Sequence, residues 1–436
     1  MILLKMSLPI NIKTKKIMKQ ILKTIVLLLV IFIITSNISK AQNWIAKANI
    51  AQSATGRGAA QTFVLNNKLY VAGGYIGFSS GYTNDMQMYD PASNTWTGKA
   101  SPSEPNRSSG IAFVINGKAY MGLGAKNFLS FSPPETPLTD LNEYNETSNS
   151  WSSKASFPDS GRTASASFVL NNKAYIVGGE RGVSGLKTSE VWEYNPSTNA
   201  WTKKNDFTGG GIAFASTFTI GSKSFLTGGI LSDGTISNKT YEYNATADTW
   251  TQKANLPISN QGGIAFTIGN DAYYGLGSDK NLGGSGAVFP TTFYKYNSLS
   301  DTWTATTHTW SAAGRLWSIA GVINNKAYVG AGYKFASGEF AYKDIFELAF
   351  APNTINEMKI DNNSIIYPNP AKNQFYVNAK GKEINITIYT SLGQIVKSQI
   401  IQEYQAIDIS SFQTGNYFVT INSNHQTQYT QLKVVR

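Results

Sequence analysis

Four arginines recur at one position of a repeated pattern and are the residues best suited to bind an anion. Each stands 13 residues before the tyrosine of a Lys-x-Tyr triplet, and they are Arg57, Arg107, Arg162 and Arg315. Two further repeats place Ile212 and Asn260 there. A guanidinium binds a carboxylate through two parallel hydrogen bonds, so four arginines around one opening would form a site for an acidic ligand. The alternative is that each arginine pairs with a carboxylate or carbonyl of its own chain and braces the fold, because buried arginine is normally paired.

Aromatic side chains in the predicted loops are the second group of candidate ligand-binding residues. Aromatic rings supply flat apolar platforms on which a sugar ring can stack, and tyrosine and tryptophan add a polar tip. The candidates are Phe78, Tyr82, Phe128, Trp310 and Phe335, with Phe131 and Phe289 in the same class of loop. Loop aromatics also anchor their own loops, and that alternative stays open for each of them.

Groups for catalysis are sparse. The chain has two histidines, His308 and His425, and no cysteine. The histidines fall in different predicted domains, so each domain has one histidine at most. This disfavours a Ser-His-Asp unit and a multi-histidine metal site. A carboxylate pair could come from scattered acids of the long loops, which are Glu104, Glu135, Asp159, Glu180 and Asp279. We therefore expect no metal and no cofactor, and a binding protein rather than an enzyme.

The net charge of +11 suggests a nucleic-acid partner until it is divided along the chain. Residues 1–41 carry seven lysines and no acidic residue, which leaves the remaining chain close to neutral. The sequence therefore predicts no nucleic-acid binding.

Residues 1–41 have the features of a signal peptide. Ten apolar residues, 25–34, follow Lys19 and Lys23 and precede a small-residue ending, 39–42. Ten residues are too few for a membrane span, so we expect cleavage and no transmembrane span in the mature chain. Met18 is an alternative start. The absence of cysteine excludes disulfides and a lipid-bearing cysteine.

A tryptophan recurs at intervals of 49 to 55 residues, the period of a repeat array. The series is Trp44, Trp96, Trp151, Trp201, Trp250 and Trp303. A tyrosine precedes all but the first by seven residues. Each unit contains four short β-type segments separated by Asn/Gly or Pro turns, which we name strands a to d. A glycine suited to a positive φ follows each strand b, at Gly74, Gly124, Gly179, Gly229, Gly277 and Gly332.

The glycine after a Lys-x-Tyr strand, followed by a spaced tyrosine and tryptophan, resembles the kelch repeat. The resemblance covers the whole repeat region and implies an all-β fold, a six-bladed β-propeller over residues 42–350. Trp44 would lie on an N-terminal strand that completes blade 6. The tyrosine and tryptophan would fill the space between blades. Three units depart from the usual glycine pair, and blade 6 has Leu348 in place of the tyrosine.

In such a propeller the d–a and b–c loops share one face. Those loops are long at residues 75–84, 125–140, 278–292 and 333–343, whereas the turns on the opposite face are tight. Binding residues are disproportionately found on loops held by a rigid scaffold, so we place function on the long-loop face.

The C-terminal region, residues 364–436, follows a polar linker at 351–363 and contains short alternating β-type segments. Its "YPNP", "LGQ" and "GNYFV" segments resemble the C-terminal sorting domain of the type IX secretion system, type A. The resemblance implies export by that machinery across the outer membrane of a Gram-negative bacterium, removal of the domain, and release or attachment at the cell surface. The alternative is a passive β-sandwich or a carbohydrate-binding module.

Two hypotheses about function follow. The first is a secreted or cell-surface propeller that binds a glycan or a protein on its long-loop face. The alternative is a carbohydrate-active enzyme that resembles N-acetylneuraminate epimerase, a sialic acid mutarotase with a six-bladed kelch fold.

Overall fold

The computed structural model describes residues 44–50, 56–77, 81–102, 106–126, 137–182, 185–281, 284–335, 339–348, 366–378, 383–390, 395–423 and 426–436. The chain divides into two compact units between residues 350 and 351. Over the described ranges the regular structure is β, and none of it includes a helix long and apolar enough to cross a membrane. The predicted signal peptide and linker lie outside the described residues.

Six antiparallel four-stranded sheets make up the first unit, and we call them blades 1 to 6, with strands a to d in spatial order. Blade 1 consists of Gln61–Leu65, Lys68–Ala72, Met86–Asp90 and Thr95–Lys99. Blade 2 consists of Ile111–Ile115, Lys118–Gly122, Leu141–Asn145 and Ser150–Ser153. Blade 3 consists of Ala166–Leu170, Lys173–Val177, Val191–Asn195 and Ala200–Lys203.

The second half of the unit repeats this pattern. Blade 4 consists of Ser216–Ile220, Lys223–Thr227, Thr240–Asn244 and Thr249–Lys253. Blade 5 consists of Ile264–Ile268, Asp271–Gly275, Thr292–Asn297 and Thr302–Thr309. Blade 6 consists of Ile319–Ile323, Lys326–Gly330, Ile345–Leu348 and, as strand d, Trp44–Lys47.

The N-terminal strand completes blade 6, as the unpaired Trp44 predicted. It pairs antiparallel with Ile345–Leu348, and Trp44 lies opposite Leu348. Strands a of neighbouring blades contact each other in the cyclic order 1-2-3-4-5-6-1. Two edges that would otherwise be exposed are thereby removed. The all-β propeller prediction is confirmed.

The strand-c tyrosine fills the space between two blades. Tyr194 of blade 3 packs against Phe113 and Tyr120 of blade 2, with ring centroids 6.4 and 5.8 Å apart. Equivalent contacts join Tyr144, Tyr243 and Tyr296 to the preceding blade. Aromatic pairs at these separations add favourable energy beyond their burial.

The strand-d tryptophan binds the preceding blade by a hydrogen bond. Trp201 Nε1 donates to the Ala155 carbonyl at 2.8 Å, and Asn199 accepts hydrogen bonds from the Tyr194 hydroxyl and the Ala155 N–H at 2.8 and 2.9 Å. Asn199 adopts φ +49°, which asparagine tolerates better than most residues. The same tryptophan bond recurs at Trp96, Trp151 and Trp303. In each of these units the tyrosine therefore packs between two blades, and the tryptophan links them by a hydrogen bond.

Short strands extend the b–c and d–a loops on the long-loop face. They are Tyr75–Gly77, Gly81–Tyr82, Arg162–Thr163, Glu180–Arg181, Leu186–Lys187, Ile212–Ala213, Ile230–Leu231, Tyr333–Phe335 and Glu339–Ala341.

The second unit has its own core and two sheets. The three-stranded sheet contains Ile366–Tyr367, Gln374–Val377 and Ile407–Asp408. The four-stranded sheet contains Ile384–Thr390, Ile395–Ile401, Gly415–Ser423 and Gln426–Val434. Alternating isoleucines such as Ile384, Ile386 and Ile388 are fully buried between the sheets.

Candidate functional site: the channel mouth

A ring of six backbone hydrogen bonds encircles the propeller axis on the long-loop face. One residue from each blade takes part, two positions after the recurring arginine position, and its N–H donates to the carbonyl of the equivalent residue in the preceding blade at 2.8 to 3.0 Å. We call this the axial ring, and its members are Ala59, Ser109, Ala164, Phe214, Gly262 and Trp317. All six have φ between +53° and +61°. The repeat pattern alone does not predict this ring, although its position is the same in every unit.

A second tier of residues lies next to the axial ring. In every blade, the residue after the second glycine pairs antiparallel with the residue that precedes the ring member. The second-tier residues are Tyr75, Ala125, Glu180, Ile230, Ser278 and Tyr333. The preceding glycines all have positive φ, as expected, and a Cβ on Gly277 would lie only 2.2 Å from Asn260 Oδ1. The glycine therefore allows the chain to turn closely past its own blade just before the second-tier residue.

Aromatic rings of blades 1, 4 and 6 form a continuous band over the axial ring. Successive centroids from Tyr82 to Phe214 are 5.2, 5.1, 4.6, 5.8 and 5.9 Å apart. The aromatic band consists, in that order, of Tyr82, Tyr75, Tyr333, Phe335, Trp317 and Phe214. Residues from non-adjacent blades can form such a cluster only near the axis, so the band lies close to the propeller axis, at the place that we call the channel mouth.

Glycine at position 262 makes room for the band. A Cβ there would lie 3.0 and 3.1 Å from Cδ1 and Nε1 of the Trp317 indole, closer than side chains normally approach. Trp317 therefore reaches from blade 6 past Gly262 of blade 5 to Phe214 of blade 4. Tyr75, Tyr333, Trp317 and Phe214 are buried, whereas Tyr82 and Phe335 are half-buried and face solvent in part.

Two of the predicted ligand-binding aromatics, Tyr82 and Phe335, belong to the band. Phe289 packs against the same cluster and lies under the Lys334 ammonium. The structure corrects the expected position of Trp310: it is 3% exposed and packs on Trp44 at 4.7 Å, in the core between blades 5 and 6. Phe78, Phe128 and Phe131 lie outside the described residues.

Each of the four arginines is buried and paired with a carboxylate. Arg107 donates to both oxygens of Asp140 at 2.8 and 2.7 Å and to the Leu123 carbonyl at 3.1 Å. Arg57 and Arg315 bind Asp85 and Asp344 in the same way, and Arg162 binds Asp159 and Glu190. This geometry agrees with the bracing alternative. Ligand binding by the arginines stays an untested prediction, and we leave them out of the site proposed below.

The carboxylate partners of these arginines had a sequence signal that the arginine spacing alone does not reveal. Asp85, Asp140, Glu190 and Asp344 each stand four residues before the strand-c tyrosine or its equivalent. Blades 4 and 5, which lack the arginine, have Lys239 and Thr292 at that position. Acid and arginine are therefore present or absent together within each blade.

The predicted loop acids do not act as one group. Asp159 binds Arg162 and Arg181, and Asp279 accepts a hydrogen bond from the Val288 N–H. Glu180 lies in the second tier, with its carboxylate 3.3 Å from the Lys187 ammonium. Burial raises the pKa of Glu180 above its ordinary value, and Lys187 opposes this effect. Glu104 and Glu135 lie outside the described residues.

The two predicted histidines belong to different units of the chain. His308 lies on strand d of blade 5, beside Tyr273, and burial lowers its pKa. His425 lies outside the described residues. Within the described ranges, no cluster of three acidic or histidine side chains suited to a metal ion is found.

Four members of the aromatic band were missed in the sequence. Tyr75 and Tyr333 directly follow the second glycine, and Phe214 and Trp317 stand at a position where blades 1 to 3 have Ala59, Ser109 and Ala164. Aligning the six units and marking large residues at otherwise small positions would have identified them.

Two family models match the chain. Residues 56–103 and 161–208 match the Kelch motif, and residues 365–436 match the secretion system C-terminal sorting domain. The chain is a kelch-repeat propeller with a C-terminal sorting domain. A domain of this kind implies an interaction with the secretion machinery, so the kelch protein is secreted or attached to the cell surface.

Two known proteins show how far the similarity extends. Beta-agarase A of Zobellia galactanivorans is 38% identical over 69 residues, which are 15% of this chain and 13% of that protein. The kelch protein thus spans a small part of this relative's length. The solved structure of YjhT aligns with a TM-score of 0.57 at 18% identity, over 68% of this chain and 95% of that one. At this identity the likeness supports the fold alone.

Proposed function

We propose that this kelch protein is exported and binds a glycan at its channel mouth, with Tyr82 and Phe335, the two half-buried rings of the aromatic band, as the stacking surface. The observation that carries the proposal is the convergence of six aromatic rings from three blades at one end of the channel. Sugar rings present apolar C–H faces, and amphipathic aromatic side chains are well suited to cover them.

The backbone at the band adds support. Phe214 and Trp317 adopt φ +55° and +57°, a region that bulky residues rarely occupy. Left-handed backbone costs a non-glycine residue about 1 kcal/mol or more, and such strain concentrates at functional sites. Gly262 shows that the ring accepts glycine at this position, so the two large side chains are not needed to form the ring itself.

The test is a screen of the purified full-length protein against neutral and acidic oligosaccharides, followed by calorimetry with the tightest neutral binder. We expect Phe335→Ala and Tyr82→Ala each to weaken binding about tenfold, because stacking on one ring contributes roughly 1 kcal/mol or more. Leu299→Ala is the matched control, since Leu299 is 97% exposed in the c–d turn of blade 5 on the opposite face. Unchanged affinity in both aromatic variants, or no binding by the wild type, would overturn the proposal and direct the search to protein partners.

A second candidate, a carbohydrate-active enzyme such as a sialic acid mutarotase, is favoured by one observation. Glu180 places a carboxyl group of raised pKa at the channel mouth, where it could move a proton. The test is the rate of anomeric exchange of N-acetylneuraminate measured by NMR. An acceleration lost in Glu180→Gln with unchanged folding would support the enzyme, and an unaccelerated rate would refute it.

We further propose that residues 1–41 and 364–436 direct export to the outer cell surface. The supporting observations are the apolar segment of the leader and the match of the C-terminal region to the sorting domain. Deletion of 364–436 should leave the protein inside the cell envelope. Surface labelling that is unaffected by the deletion would contradict this route.

A further inference from the structure

The channel mouth is chemically divided into two halves. The aromatic band occupies the side formed by blades 4, 6 and 1, whereas blades 2 and 3 contribute the small ring members Ser109 and Ala164. On this second side, the second tier provides Ala125 and Glu180 in place of the tyrosines. The mouth therefore combines an aromatic wall with a small polar side.

Backbone pairing places Glu180 at this mouth. Glu180 pairs with Thr163 in the register in which Tyr75 pairs with Gly58 and Tyr333 with Leu316. Both of those tyrosines belong to the aromatic band. Ala164, the neighbour of Thr163, packs in the same cluster as the band. The position of Glu180 in blade 3 is thus equivalent to that of two residues already at the site.

The carboxylate is held by one cation. Glu180 Oε1 lies 3.3 Å from Lys187 Nζ, and each side chain is 15% exposed. The two residues also face each other across adjacent short strands, Glu180–Arg181 and Leu186–Lys187. Nearby Arg181 is engaged by Asp159. A fixed, largely neutralised pair presents both hydrogen-bond acceptors and donors, which is the combination that vicinal sugar hydroxyls require.

Further polar atoms around the axial ring lack partners. Ser109 Oγ, Thr163 Oγ1 and Trp317 Nε1 are buried and make no hydrogen bond with the residues that the structure describes. These three atoms are enclosed within the protein, so they add polarity beneath the mouth and do not themselves contact a ligand.

The charge of the site discriminates against acidic sugars. The four guanidinium groups behind the ring are each occupied by a carboxylate of the chain. The carboxylate in the second tier is itself anionic and would repel a second one, and Lys187, the cation beside it, is already paired with it. A neutral ring with adjacent hydroxyls avoids this repulsion.

We infer that the Glu180–Lys187 pair is the polar anchor of the channel mouth and selects a neutral sugar with vicinal hydroxyl groups. The inference rests on the proposed glycan-binding function. In the bound state, the sugar lies with one face on the half-buried rings of the band, Tyr82 and Phe335, and its hydroxyls exchange hydrogen bonds with the carboxylate and the ammonium.

The test compares Glu180→Ala and Glu180→Gln with wild type by calorimetry, using the tightest neutral oligosaccharide of the screen and a uronic acid counterpart. Hydrogen bonds to a charged group contribute about 1.5–3 kcal/mol, so Glu180→Ala should lose roughly 10- to 100-fold in affinity for the neutral sugar, and Glu180→Gln less. Glu180→Gln should also narrow the preference for the neutral over the acidic sugar.

Glu242→Ala is the matched control. Glu242 pairs with Lys253 at 3.0 Å with similar burial, but on strands c and d of blade 4. It should leave affinity unchanged. A Glu180→Ala affinity within twofold of wild type, or a wild type that prefers the acidic sugar, would overturn the inference while the effects of Phe335→Ala and Tyr82→Ala still stand. No sugar binding by the wild type would overturn both proposals. Melting temperatures of all variants separate loss of the anchor from loss of folding.

Discussion

Replacing Arg107 with alanine tests whether the arginines brace the propeller. Arg107 is 1% exposed and donates three hydrogen bonds, two to Asp140 and one to the Leu123 carbonyl. Removing one partner of a buried pair costs about 3–5 kcal/mol. Because the Asp140 side chain is 35% exposed, water can solvate it again, so we expect the lower end, about 3 kcal/mol.

The assay is thermal unfolding of the full-length protein followed by tryptophan fluorescence. For a unit of this size 1 kcal/mol shifts the melting temperature by about 2 °C, which gives a decrease of about 6 °C. Lys118→Ala is the control: its ammonium lies 2.8 Å from Glu143, but its side chain is 56% exposed, so the loss should stay below about 1 kcal/mol. Asp140→Ala should cost at least as much as Arg107→Ala, because it leaves a more deeply buried charge unpaired.

If Arg107 braces the propeller, two further results are expected. The double variant Arg107→Met/Asp140→Leu should be more stable than the sum of the single losses predicts, because neither charge is left behind. Sugar binding should persist in Arg107→Ala at temperatures where the protein is folded. A decrease of less than 2 °C, or a loss of sugar binding without a loss of stability, would refute the bracing role and restore the arginines as ligand-binding residues.

Three other outcomes follow from the contacts. Trp44→Ala should destabilise the propeller by about 3–5 kcal/mol, because the indole is buried against Phe293 and Trp310. Ile45→Ala, at a 45% exposed position of the same strand, should change the melting temperature little. Equal melting temperatures of the two variants would contradict ring closure by this strand. Asn199→Ala should lower the urea midpoint, because Tyr194 and Ala155 lose their shared acceptor at a residue with φ +49°. Asn205→Ala is the comparison, because it removes only an exposed hydrogen bond from the Asn205 side chain to the Asp248 carbonyl. Midpoints equal to wild type in both variants would contradict this role of Asn199. Burial alone would raise the pKa of Asp159, but Arg162 and Arg181 lower this pKa from 3.8 to about 2. The ionised carboxylate therefore stabilises the fold above about pH 4, and this contribution is lost as the pH falls towards 2. Asp159→Asn should make the free energy of unfolding less dependent on pH between about 4 and 2, and an unchanged dependence would argue against this ion pair.

The propeller could be predicted because its strongest sequence signals report directly on packing between blades. The tyrosine and tryptophan of each unit touch the preceding blade, so their spacing reflects the blade period. The missing tyrosine before Trp44 likewise predicted an N-terminal strand beside Ile345–Leu348. These features depend on positions fixed within each repeat, which a single chain displays several times.

The site could be predicted only in part, because burial of a loop aromatic depends on the path of its loop. Phe335 and Trp310 are both aromatic residues of predicted loops, yet Phe335 lies on the aromatic band and Trp310 packs on Trp44. The arginines illustrate a related limit: their equal spacing suggested a ligand site, and an acid that pairs with each of them lies 28 or more residues away in all four blades.

The axial ring shows how one repeat can support both a constant fold and a variable site. Its six hydrogen bonds use only backbone atoms, and its φ values differ by less than 10° among the blades. Side chains from glycine to tryptophan therefore occupy equivalent positions without altering the ring. A side chain that is not needed for the hydrogen bonds of the ring can vary with the ligand. Here the large and polar side chains are placed asymmetrically around the axis. We therefore expect that exchanging Trp317 and Ala59 alters the shape of the mouth and its sugar preference, while the blades and their closure remain intact.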